Sequence, residues 1–105
     1  MIIRSAQFLG TVAVEHQVQF DAIVNGPVRD LMKTFPGLRR LEIHRPLDMD
    51  TGAPPIYQIY NMAFDDIEAM DTALNSPVRK SIHTQMDKIL PLFEGEIVHY
   101  VWSVD

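Results

Sequence analysis

Strand-like and helix-like hydrophobic periodicity alternate along this chain in the order strand, helix, strand, and this order occurs twice within 105 residues. The predicted elements are strands over 6–14, 38–46, 56–64 and 96–104, one helix over 20–35 and a second helix from Asp65 onwards. Two such units with right-handed crossovers make a ferredoxin-like α+β domain. We therefore expect one domain over 1–105, a βαββαβ fold whose four-stranded antiparallel sheet has the order 4-1-3-2 and carries two helices on one face.

Both predicted helices contain a break. The Asn-Gly-Pro sequence at 25–27 predicts a bend in the first helix, because proline removes a backbone donor and clashes with the preceding turn. In the second helix Ser76 followed by Pro77 predicts a restart, since serine is a favoured N-cap and proline is favoured at the first helical position. We expect Gly95 to end this helix.

Three of the predicted strands are apolar on both faces, although helices on one side can cover only one face of a sheet. In the last strand Val98, Tyr100 and Trp102 share one parity, while Ile97 and Val101 share the other. An uncovered apolar face of this size would exceed the roughly 300–600 Å² patch that monomers show. We therefore predict a homodimer, a dimeric α/β barrel, that buries more than about 1,200 Å².

Composition excludes several kinds of partner and site. The chain has 14 acidic and 9 basic residues and no basic run, which argues against nucleic acid as a partner. It has no cysteine, which excludes disulfides and thiol chemistry and fits a reducing compartment, so we expect a cytoplasmic location. No stretch of 18 apolar residues occurs, so no membrane span is expected. Arg4 interrupts the apolar run over 1–14, which we interpret as a strand and not as a signal peptide.

His83 is the best candidate for acid–base chemistry. It follows Ile82 of the apolar helix stripe, which places it at the edge of the buried face, and an imidazole pKa near 6.5 suits proton transfer at neutral pH. The alternative is a solvated or merely hydrogen-bonded histidine. The four histidines lack the spacing of a local metal-ligand pair, so no metal is expected.

Three further residues are candidates for ligand binding. Tyr60 and Trp102 combine apolar bulk with a polar group and are predicted to line an aromatic pocket, although core or dimer packing also explains them. Arg79 is predicted to hold an anionic group of a substrate, the alternative being a solvated arginine on an exposed helix.

A set of residues between the first helix and the second strand carries a family resemblance: Phe20-Asp21, Leu31, Pro36 to Ile43, Arg45-Pro46, with Ser76-Pro77 and Asp87 further on. This pattern resembles EthD-type proteins of the dimeric α/β-barrel superfamily. The resemblance implies a small dimer of a degradative or biosynthetic pathway, with ring-acting monooxygenases that lack a bound cofactor, polyketide cyclases and lactone isomerases among its relatives. The family's His-x-Pro-Leu segment is absent here: the aligned residues 28–31 read Val-Arg-Asp-Leu, and a shifted alignment places Asn25 at the histidine.

Two classes of function follow from these observations. The first, in keeping with the resemblance, is a small-molecule enzyme without a tightly bound cofactor, an oxidoreductase, cyclase or isomerase. It would act by proton transfer on a hydrophobic compound, with aromatic and polyketide-like compounds as candidates. The second is a non-catalytic binding or accessory protein that serves a partner oxygenase, and the missing histidine favours it. The two are distinguished by whether the fold brings His83 to an apolar cavity.

Overall fold

The computed structural model describes all 105 residues. The strands are β1 (Ile2–Val12), β2 (Arg40–His44), β3 (Ile56–Phe64) and β4 (Phe93–Ser103). The helices are α1 (Val14–Ile23), α2 (Arg29–Met32), α3 (Ile67–Leu74) and α4 (Pro77–Met86). A π-helical segment (Val24–Val28) joins α1 to α2, and a short 3₁₀ helix (Leu90–Leu92) precedes β4.

The strands form one sheet in the order β2-β3-β1-β4, in which every neighbouring pair is antiparallel. This is the predicted order 4-1-3-2 counted from the other edge, so the ferredoxin-like α+β fold is confirmed. None of the helices combines the length and the apolar character needed to cross a lipid bilayer.

The two faces of the sheet differ in what covers them. Ala6 on β1 lies opposite Tyr60 on β3 and His99 on β4, and these three share the face that the helices cover, which we call the covered face. The core lies there, with Phe8, Phe20 and Tyr60 at most 1% exposed. The side chain of the next β1 residue, Gln7, points to the opposite face of the sheet. No helix covers this face, which we call the open face.

The predicted bend in the first helix is confirmed, and its form is a π-helical segment. Gly26 has φ −109° and ψ −105°, outside helical values, directly before Pro27. Val24 and Val28 on either side are fully buried, so the apolar stripe continues through the bend. The Tyr60 hydroxyl donates a hydrogen bond of 3.0 Å to the Val24 carbonyl and ties the bend to the sheet.

A polar cluster attaches α1 to the sheet at a β-bulge. Phe8 lies opposite Gln58 but Leu9 lies opposite Ile56, so Tyr57 is the extra residue of the bulge. The Tyr57 hydroxyl donates to the Asp21 carboxylate at 2.7 Å, and the Arg45 guanidinium also donates to Asp21. That guanidinium lies 4.7 Å from the centre of the Tyr57 ring.

Three boundary predictions and the role of Gly95 were wrong. The first helix begins at Val14 and not at Phe20. β1 begins at Ile2, which pairs with both neighbouring strands, and β4 begins at Phe93. Gly95 does not end a helix, because α4 already ends at Met86. It lies inside β4 opposite Gly10, where both glycines have positive φ and the two backbones approach closely.

We predict that Gly10→Ala destabilises the chain by about 2–4 kcal/mol through strain and overlap. A Cβ at this position would lie 2.1 Å from the Glu94 carbonyl oxygen. Gly52→Ala is the matched control: its φ is also positive, at 86°, but no atom lies within 4 Å of the added Cβ. The control should cost only about 1–2 kcal/mol. Chemical denaturation measures both, and equal costs would contradict the close approach of β1 and β4.

Candidate functional site

The cleft between the covered face of the sheet and α4 consists of two adjoining spaces. The larger has a volume of about 200 Å³. Eight of its ten lining residues are hydrophobic, and two are histidines. The lining residues are Ala6, Phe8, Met32, Tyr60, Ile82, His83, Met86, Leu90, Ile97 and His99. We call this space the apolar compartment. Its character suits the hydrophobic part of a small ligand.

A second space of about 100 Å³ adjoins the first and differs from it in charge. We call it the cationic compartment, because Arg4 and Arg79 line it together with His83 and His99. The two compartments share five lining residues, Ala6, Met32, Ile82, His83 and His99. Both imidazoles therefore lie where the apolar and cationic compartments meet.

Strand alternation and helix periodicity bring these residues together. Arg4 and Ala6 are two residues apart on β1 and share the covered face, and His99 of β4 lies opposite Ala6. On α4, Ile82 is buried and faces the sheet. Arg79 lies three residues before it and His83 directly after it, so both extend from the same side of the helix toward the cleft.

The electrostatics of the cleft are set by cations alone. No aspartate or glutamate lines either compartment. Burial, and then the nearby charge of Arg79, lower the pKa of Arg4. Burial is also the largest cause that lowers the pKa of His99, followed by the charges of Arg4, Arg79 and His83. The neutral His99 imidazole, which can accept a proton, is favoured near neutral pH.

Three of the four site residues predicted from sequence line this cleft. His83 lines both compartments, Tyr60 the apolar one and Arg79 the cationic one. Tyr60 contributes its ring and not its hydroxyl, because the hydroxyl donates to the Val24 carbonyl and burial raises its pKa. His83 itself is exposed at the edge of the cleft.

Trp102, the fourth predicted site residue, does not line the cleft. It lies three residues from His99 on β4 and therefore points to the open face, since successive side chains of a strand alternate. There its ring stacks on that of Tyr100, with 5.2 Å between the ring centres. Both side chains are 48% exposed in the single chain.

Sequence reasoning missed Arg4 and His99. Each lies on a strand, and its face becomes known only when β1 and β4 are placed in register. The available signal was Arg4 itself, the one charged residue of β1, whose parity matches that of Phe8. The structure contains no group of three or more histidine, aspartate or glutamate side chains arranged to hold a metal ion.

Comparison with solved structures identifies the architecture. An EthD family protein from Bacillus halodurans superposes with a TM-score of 0.81 at 19% identity, over 100% of this chain and 99% of that one. A cofactor-independent oxygenase from Streptomyces nogalater, in a mutant form, superposes with a TM-score of 0.67 at 16% identity, over 98% and 91% of the two chains.

A third match is a dimeric protein of unknown function from Bacteroides fragilis, with a TM-score of 0.67 at 10% identity over 98% of this chain and 96% of that one. This chain shares their ferredoxin-like fold. The sequence resemblance to EthD-type proteins is thus confirmed at the level of the fold. No family model matches the sequence, and no curated protein matches it significantly.

We predict that Arg79→Gln raises the pKa of His99, because the substitution removes a positive charge that disfavours the imidazolium. Arg39→Gln is the control of equal charge change, since Arg39 pairs with Asp65 away from the cleft. An NMR titration of the histidine ring protons measures both. The pH dependence of stability follows from the same shift. Because the unfolded chain binds a proton at His99 more readily than the folded chain does, the free energy of unfolding should decrease as pH falls from about 6.5 through the lowered pKa of His99. An unchanged His99 pKa in Arg79→Gln would contradict the cationic compartment.

Proposed function

We propose that this protein is an EthD-like small-molecule enzyme that takes a hydrophobic compound into the apolar compartment and transfers a proton, without a tightly bound cofactor. The observation that carries the proposal is the position of His83 and His99 on the wall of an apolar cleft. A proton acceptor beside a bound carbon acid is the minimum requirement for removing a proton next to a carbonyl group. The likeness in fold to a cofactor-independent oxygenase supports this class of chemistry.

His83 and His99 are both exposed at the cleft, and they are assigned different roles because partial desolvation and the charges of Arg4 and Arg79 lower the pKa of His99. His99 is the candidate base, because its surroundings favour the neutral imidazole. His83 lies at the exposed edge of the cleft, where it can exchange protons with water and return a proton to the product. Tyr60 and Phe8, whose rings meet edge to face 5.6 Å apart, would form the wall that positions the hydrophobic part of the compound.

A second candidate function is binding without catalysis, as an accessory protein to a partner oxygenase. One observation favours it: neither His83 nor His99 has a side-chain hydrogen bond that would orient its ring. By contrast His44, which lies outside the cleft, has such a bond with Glu42 at 3.0 Å. Catalytic imidazoles are commonly held by such a partner. This function predicts that compounds bind in the cleft without exchanging protons.

We predict that the protein accelerates exchange of the C1 protons of 2-tetralone for deuterium, and that His83→Ala slows this exchange about 10²–10⁴-fold. The unfolding midpoint of the variant should stay the same, because the His83 side chain is exposed. His16→Ala, on α1, is the control that should retain the rate. Proton NMR follows the exchange. Equal rates in His83→Ala and the unmodified protein would remove His83 from the mechanism, and binding of 2-tetralone without exchange would favour the accessory function.

We also propose that two copies of the chain associate through their open faces as a homodimer. Tyr100 and Trp102 leave aromatic surface exposed on this face, and Ile59 lies on it opposite Gln7. A second copy is the simplest cover for such a face. The dimeric state of the Bacteroides fragilis protein of the same fold supports this assembly.

Ile59→Glu should convert the dimer to monomer, because association would bury an unpaired carboxylate. Val101→Glu is the matched control: Val101 lies opposite Arg4 and therefore points to the covered face, so this variant should remain dimeric. Sedimentation velocity at micromolar concentration distinguishes a 24 kDa species, roughly twice the 12.0 kDa chain mass, from the monomer. A monomeric unmodified protein would contradict the assembly.

A further inference from the structure

We propose that the ligand of the cleft is an anion, with an apolar body of one or two rings and a carboxylate or enolate oxygen bound between Arg4 and Arg79. This inference rests on the proposed function, namely that the cleft binds a small molecule. It adds the charge of the ligand, its orientation in the cleft and the atom at which the proton is transferred.

The first observation is that Arg4 and Arg79 line one compartment without an acidic partner. The ion pairs of the chain involve other bases, namely Arg39, Arg40, His44 and Arg45. The chain has 14 acidic residues, yet none of them lines this compartment. Arg4 is partly removed from water, where an unpaired charge is unfavourable, and the nearby positive charge of Arg79 repels it. An anionic ligand removes both penalties.

The second observation is that charge is confined to one end of the cleft. The apolar compartment is lined by eight hydrophobic residues of ten, whereas both arginines lie in the adjoining compartment. A ring system fits the apolar compartment and an oxygen anion fits the cationic one. A guanidinium presents two parallel donors that match the two oxygens of a carboxylate, which favours this group over a sulfonamide or an amide.

The third observation is the position of the imidazoles between the two ends. His83 and His99 line both compartments, so they face the atoms that connect the rings of such a ligand to its anionic group. When a base removes a proton from the carbon next to a carbonyl, the electron pair of the C–H bond forms a carbon–carbon double bond and the π pair of the carbonyl moves onto its oxygen. The arginines would then stabilise the enolate oxygen as its charge develops, while the imidazole holds the proton.

The experiment compares two probes of nearly equal shape, 2-naphthoate and 2-naphthamide, by isothermal titration calorimetry at pH 7.5. Naphthoate should bind more tightly, and Arg79→Gln and Arg4→Gln should each weaken it about tenfold, in keeping with the loss of one charged hydrogen bond. Naphthamide binding should change less than twofold. Arg79→Lys should recover part of the loss, and Arg39→Gln, far from the cleft, should bind both probes as the unmodified protein does.

The outcomes separate this inference from the proposed function. If both probes bind equally, or if Arg79→Gln leaves naphthoate binding unchanged, the ligand charge is wrong and the small-molecule site stands. If neither probe binds and 2-tetralone is neither bound nor exchanged, the site itself is wrong. Backbone amide shifts of Ala6 and Ile97 on naphthoate addition place the probe in the cleft, and shifts confined to other surfaces would overturn the inference. Because Arg79 is exposed on α4, its variants test the inference even if Arg4→Gln fails to fold.

Discussion

The pairing of β1 with both β3 and β4 is the interaction on which the rest of the molecule depends. This central strand sends Arg4, Ala6 and Phe8 to the covered face and the residues between them to the open face. Its register with β4 brings His99 opposite Ala6, and its bulge against β3 turns Tyr57 toward α1. Both the cleft under α4 and the uncovered face follow from this one alignment, because a shift of one residue would exchange the two faces.

The order of the elements and the bend at Pro27 could be predicted from sequence, because they depend on local hydrophobic periodicity and on one residue with a fixed backbone preference. The strand order followed from that element order and from the right-handedness of the two crossovers. His83 and Arg79 could be placed near a cleft for the same reason: helix periodicity relates them to buried Ile82. Trp102 could not, since the face of a strand residue depends on register. The same register pairs Gly10 with Gly95. From its local sequence alone, Gly95 is predicted to end a helix.

The residues that carry the resemblance to EthD-type proteins are structural in this chain. Asp21 and Arg45, which belong to that pattern, join α1 to the end of β2, and Arg39 pairs with Asp65 before α3 at 2.8 Å. None of the pattern residues lines the cleft. The pattern residues and the residues that line the cleft are thus separate sets of positions. This explains why a resemblance can anticipate the architecture closely and still leave the ligand to be inferred from the cavity.

β4 is an edge strand whose two sides serve different surfaces. His99 extends from one side into the cleft, while Tyr100 and Trp102 extend from the other onto the open face. Neighbouring side chains on one backbone cannot move independently when the strand twists or shifts. If self-association twists or shifts β4, it would therefore also move His99 in the cleft, so that a single strand, with no hinge or mobile loop, would connect the two surfaces.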